Sequence, residues 1–162
     1  MTGFEYAAAS LMIQEGLVQE GIEIVEAIRD RYDGKKRNPY AEIECGSSYA
    51  RSMASFALPA VFSGFRFDMT RKIIGFAPVL TALPFVCFWS VDGAWGTVRI
   101  EKGQTILTIL YGRLELNAFV LPHEQAVESV TADGRRVSFG TDGPQVNFAE
   151  NISMEDTLII RY

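Results

Sequence analysis

The densest run of chemically capable side chains is Asn38-Pro-Tyr-Ala-Glu-Ile-Glu-Cys-Gly-Ser-Ser-Tyr-Ala-Arg51. Glu42 and Glu44 stand two apart, so in an extended stretch they point the same way. Arg51 falls about one turn into a helix expected to begin at Ser47 or Ser48, near its positive dipole end, where a cation is disfavoured. Helix stability therefore does not account for Arg51, but a carboxylate partner or a ligand does. Carboxylates accept hydrogen bonds from hydroxyls and a guanidinium donates to them, which together suit a sugar. A structural Glu–Arg ion pair closing the loop onto the helix uses the same residues. Glu5, just after Gly3 and Phe4 at another expected helix start, reads either as a helix cap or as a ligand contact.

Other constellations carry less. Arg29-Asp-Arg-Tyr-Asp-Gly-Lys-Lys36 has a calcium-loop flavour. With Gly34 placed on the loop glycine, however, Arg29 comes first and Tyr40 last, where an EF-hand needs acids. Cys45 and His123 are remote in sequence and read as a buried thiol and a surface loop residue rather than a dyad. Trp89, Asp92 and Trp95 suit either a sugar-stacking platform or core aromatics of a strand pair, and the core reading is favoured. Neither a phosphate-binding glycine loop nor a zinc spacing is present, so metal and cofactor sites are expected to be none.

The composition limits what these residues can serve. The chain has 162 residues, 48% of them hydrophobic and 22% charged, which is enough for a packed core of one ordinary domain. A net charge of -5 argues against nucleic acid. Two cysteines and one histidine exclude a disulfide scaffold and a histidine-rich metal site. The most apolar window, Ile73 to Trp89, is interrupted by Pro78 and Pro84 and is too short to span a bilayer.

The elements that must position the site divide near Gly64. Before it the apolar spacing is helical. One helix is expected over Phe4–Glu15 with Thr2 as N-cap, and a second over Leu17–Tyr32 with Gly34 as its stop. Leu17, Gly21, Val25, Ile28 and Tyr32 are expected along one side of the second, joined by Val18 and Ile22. A third helix rich in small residues is expected to end near Ser63, with a kink or early end at Pro59. From Phe65 onward, short alternating runs predict an antiparallel meander packed on one face, with Asp133-Gly134 as a tight hairpin turn. The expected class is α+β, with terminal helices over 1–64 and a β-rich segment over 65–162.

Several motifs then follow one another in order: Gly3-Phe-Glu-Tyr6, Leu11-Met-Ile-Gln-Glu-Gly-Leu17, Val25-Glu-Ala-Ile-Arg-Asp-Arg-Tyr-Asp-Gly34, Arg37-Asn-Pro39, Glu42-Ile-Glu-Cys-Gly46 and Tyr49-Ala-Arg-Ser-Met-Ala-Ser55. Together they resemble the C-terminal part of glycoside hydrolase family 116, the β-glucosidases and non-lysosomal glucosylceramidases. The resemblance covers Gly3 to Gly64 closely. It continues more loosely through Ile74-Gly-Phe76, Phe88-Trp-Ser90, Ala94-Trp-Gly96 and Tyr111-Gly112, while Tyr40 and Ala41 depart from the family pattern.

The resemblance implies the last helices of an (α/α)6 solenoid followed by a β-segment, and retaining hydrolysis of β-glycosides in the whole enzyme. Retention needs two carboxyl groups roughly 5–5.5 Å apart, and in the family both lie upstream of the matched region. The expected role here is therefore glycone binding, with Glu42 and Arg51 on the glucose hydroxyls, Glu5 lining the same pocket and no catalytic residue in the chain. A β-glucoside or related sugar is the implied partner, alongside an upstream part of the same enzyme or self-association. The cytoplasm is the favoured compartment, with the native N-terminus further upstream. The competing reading is a non-catalytic carbohydrate-binding or structural module. An enzyme using Glu42 and Glu44 as its own acid/base pair is disfavoured, since their Cα atoms would lie ~7 Å apart with no leaving-group site beside them.

Overall fold

The computed structural model describes residues 2–36 and 51–162, with the side chains of Arg51 and Ser52 outside the description. The class is α+β, with helices first and two sheets after them. The chain divides into two compact units, Met1–Phe62 and Ser63–Tyr162.

In the first unit, α1 spans Thr2–Gln14 and α2 spans Val18–Arg31. Thr2, Tyr6, Ala9, Ser10 and Ile13 form the buried stripe of α1, at the spacing that returns to one helix face. That stripe packs on α2, where Gly21 and Ile28 are buried, and on a 3-10 helix over Arg51–Phe56. Thr2 was expected to cap α1. It lies instead within the helix, and its buried hydroxyl has no hydrogen-bond partner among the described residues. Leu17 was expected on the buried side of α2, but it sits at the N-cap and is exposed.

Helix α2 ends at Arg31, with the Tyr32 N–H donating to the Arg29 carbonyl, two residues before the expected glycine stop. Gly34 has a φ of 84° inside the turn that follows. The Asp33 carboxylate closes that turn by accepting the Lys35 and Lys36 N–H groups at 2.9 and 2.8 Å. These two bonds, Lys36 first, hold the Asp33 carboxyl below its usual range.

The third helix differs from its expectation in where it changes. The 3-10 turn gives way to α3, Ala57–Ser63, before Pro59 is reached. Pro59 therefore falls in the first turn of α3, where its missing N–H forfeits no bond within α3, and the helix runs on past it to Ser63.

The second unit was expected as an antiparallel meander packed on one face. It has two sheets. The first takes the order β1-β2-β6-β10-β9 from strands Arg66–Asp68, Ile73–Gly75, Leu114–Val120, Gln145–Met154 and Phe139–Asp142. The second takes the order β3-β4-β5-β11-β7-β8 from Phe85–Val91, Ala94–Glu101, Gln104–Gly112, Thr157–Arg161, Ser129–Ala132 and Arg135–Arg136. Every pairing is antiparallel except β2 with β6. The chain leaves the first sheet after β2, builds β3 to β5 in the second, and returns beside β2, and such a long crossover is what a parallel pair requires.

Inward residues of both sheets make one core, including Ile74, Phe76, Trp89, Leu107, Leu116 and Ile160. Alternation is clearest in β4, where Ala94, Gly96, Val98 and Ile100 are buried and Trp95 and Arg99 are exposed.

The Asp133-Gly134 turn joins β7 to β8 as expected. Asp133 has φ 47° and Gly134 φ 75°, the left-handed pair that a tight hairpin turn demands. The Asp133 carboxylate also reaches the β10–β11 turn, accepting the N–H groups of Glu155, Asp156 and Thr157 at 3.0, 3.0 and 2.9 Å.

Candidate functional site

Glu42 and its neighbours Glu44 and Cys45 lie outside the described residues. Arg51 is the first residue of the 3-10 helix that packs against α1. The expected helix start at Ser47 or Ser48 lies outside the described residues, and the turn that holds the Arg51 backbone is 3-10 rather than α.

Glu5 is the acidic residue in the first turn of α1. Its carboxylate accepts a hydrogen bond from the Arg31 Nη2 in the last turn of α2, so the two helices are tied at this end. The Arg31 guanidinium holds the Glu5 carboxyl below the usual carboxylate range. A carboxylate kept ionised in this way accepts hydrogen bonds from hydroxyls and is the wrong group to donate a proton to a leaving oxygen. Arg31, which is not among the candidate residues read from the sequence, is the residue that orients Glu5. The signal was available in principle, since two antiparallel helices joined by a short turn bring residue 5 and residue 31 to the same end.

His123 is exposed and shares a hydrogen bond with the Gln125 side chain at 2.5 Å, consistent with a surface loop residue. Among the described residues no group of three His, Cys, Asp or Glu side chains converges as a metal site, and no helix is long and apolar enough to cross a membrane. In the second unit, a cavity of about 380 Å³ at the β1–β2 corner is lined by residues that include Arg66, Phe67, Arg71, Ile73 and Val120.

The two tryptophans part company. Trp89 is 1% exposed and belongs to the core, as favoured from the sequence. Trp95 was read with it as core and is 39% exposed. The turn at Asp92-Gly93 pairs Val91 with Ala94, Ser90 with Trp95 and Trp89 with Gly96. Cross-strand partners share a face, so Trp95 sides with Ser90 and Phe88, opposite to Trp89. Counting the register outward from that turn would have separated the two rings.

The chain matches no model of a known protein family, and no curated protein matches it.

Proposed function

We propose that the chain is the glycone-binding C-terminal part of a retaining β-glycosidase of the β-glucosidase type, without hydrolytic activity of its own. The ordered motif series from Gly3 to Ser55, with Glu42-Ile-Glu-Cys-Gly46 and Tyr49-Ala-Arg51 at its centre, is the observation that carries the reading. Glu42 and Arg51 would hold sugar hydroxyls as acceptor and donor, with Glu5 as a further acceptor whose ionised form Arg31 favours. The nucleophile and the acid/base would come from a segment upstream.

The first unit supports this reading in a second way. Phe4 and Leu11 on α1, and Met53 and Phe56 on the 3-10 helix, are exposed apolar side chains. Helices apolar beyond their buried stripe suit a solenoid in which further helices cover the other side.

Isothermal titration of the 162-residue chain with glucose and an aryl β-glucoside tests the reading. Saturable binding is expected, abolished by Glu42→Ala or Arg51→Ala, with no release of the aryl group. Absence of binding to both sugars overturns glycone recognition, and retaining hydrolysis by the pure chain overturns the division of labour.

A further inference from the structure

Three aromatic side chains stand in a row on the outer face of the second sheet. Phe88 of β3, Trp95 of β4 and Tyr111 of β5 are 55%, 39% and 68% exposed. The ring centroids of Phe88 and Trp95 are 6.0 Å apart, those of Trp95 and Tyr111 are 6.1 Å apart, and the latter pair is stacked with 19° between planes.

Regular alternation does not produce this row. Ile109 points inward, so Tyr111, two residues on, would follow it into the core. A bulge prevents that. Gly96 pairs with Ile109 while its neighbour Trp95 pairs with Tyr111, which leaves Leu110 as the extra residue and turns Tyr111 out beside Trp95. Gly96 has no room for a side chain, since a Cβ there would run into the Thr108 carbonyl oxygen. The backbone is thus arranged to place a third large ring in water rather than in the core.

We propose that Phe88, Trp95 and Tyr111 form a stacking platform for the pyranose rings of an oligosaccharide. Ring faces carry partial negative charge and attract the polarised C–H groups on the flat face of a sugar ring. Successive rings about 6 Å apart offer successive shelves to neighbouring residues of one chain. Ser90, opposite Trp95, and Thr97, opposite Phe88 and Thr108, put hydroxyl-bearing side chains on the same face for the sugar hydroxyls.

The charges nearby do not suit a polyanion. Arg99 on this face is hydrogen-bonded to Glu101, and Arg113, just beyond β5, to Glu155. Stacking of nucleic-acid bases is normally combined with a positively charged groove, whereas this chain carries a net charge of -5. The size does not suit a second copy either. Three partly exposed rings at ~150–250 Å² each supply a few hundred Å², against ~800 Å² per partner in a stable protein interface. The platform draws on none of the helical motifs and goes beyond glycone recognition by Glu42 and Arg51.

The chain has two tryptophans, one of them buried, so a ligand-induced change in tryptophan emission reports on Trp95. Cellopentaose and xylopentaose are titrated into the full chain and followed by fluorescence and calorimetry. At least one is expected to bind, Trp95→Ala and Tyr111→Ala each weakening it by about tenfold or more and Trp95→Phe retaining most of it. Arg66→Ala, on β1 of the other sheet, leaves the pentasaccharide affinity unchanged. Near-UV circular dichroism checks that each variant is folded, and Phe88→Ala replaces any that is not. The platform is overturned if neither pentasaccharide alters the tryptophan emission, if Tyr111→Ala leaves that response unweakened, or if Arg66→Ala abolishes it. Sedimentation that shows a dimer dissociated by Trp95→Ala also overturns it, in favour of a second copy as occupant.

Discussion

Gly21 of α2 lies so close to Ile13 of α1 that a Cβ built on it would stand 2.5 Å from Ile13 Cγ1 and 2.9 Å from the Ala9 carbonyl oxygen. Alanine is the better helix former by ~1 kcal/mol. Overpacking at a helix crossing costs about 1–3 kcal/mol, and here one of the opposing atoms is backbone. Gly21→Ala is therefore expected to be net destabilising, and Gly21→Val more so. Helical ellipticity followed through urea denaturation measures it. A Gly21→Ala midpoint at or above that of the parent contradicts the close crossing.

Asp133 ties the β7–β8 turn to the β10–β11 turn. Burial pushes its carboxyl up, but the backbone N–H groups of Glu155, Thr157 and Asp156 outweigh that and leave its pKa lowered. A depressed folded pKa contributes stability that is fully present above the unfolded value near 3.9 and is lost as pH falls through the folded value. Asp133→Asn keeps a residue that tolerates positive φ and removes the charge, so it isolates the carboxylate. The expected loss is about 1–2 kcal/mol at pH 7, and it shrinks progressively as pH falls below about 3.9. Equal destabilisation at pH 7 and pH 2.5 would refute the charge-based account.

The Glu5–Arg31 pair behaves differently because both groups are partly exposed. Its coupling in a double-mutant cycle of Glu5→Gln and Arg31→Met is expected to be under ~1 kcal/mol. The depressed Glu5 carboxyl makes that contribution present above about pH 4.3 and lost on further acidification. A coupling of several kcal/mol would mean the pair is a structural strut rather than a means of orienting a carboxylate.

Phe4, Leu11, Met53 and Phe56 expose apolar surface in the first unit. The chain is expected to enhance the fluorescence of an anilinonaphthalene dye and to associate as its concentration rises. Phe4→Ser with Leu11→Ser should lower both signals while the buried stripe at Tyr6, Ala9 and Ile13 keeps α1 helical. A dye-silent, monomeric parent chain would remove the support these residues give to the proposed function.

The sequence revealed most where a local period or a turn residue decides the outcome. Helix α2 was legible to within a residue at each end because its apolar positions recur on one side and its acids on the other. The Asp133-Gly134 hairpin was legible because few residues take left-handed φ easily. Partners set by tertiary pairing were not. Nothing local to Arg66–Asp68 marks a strand, since it is short and exposed and exists by pairing with Ile73–Gly75. The parallel β2–β6 pair depends on a return from the other sheet, which alternation cannot encode. Of the site, Glu5 was legible as an acid at a helix start, while its partner Arg31 comes from the far end of the next helix and carries no local mark of the pairing. The exposed ring row escaped because residues 89 and 95 were taken together, although the register sends them to opposite faces.

The place of β11 between β5 and β7 bears on how the second unit is made. Thr157–Arg161 is an interior strand of its sheet and pairs on both sides. Until Thr157–Arg161 has been synthesised, β5 and β7 present open edges to solvent or to each other. The nascent sheet is therefore most prone to aberrant association in the interval between synthesis of β7 and synthesis of β11, and chaperone capture would matter most then.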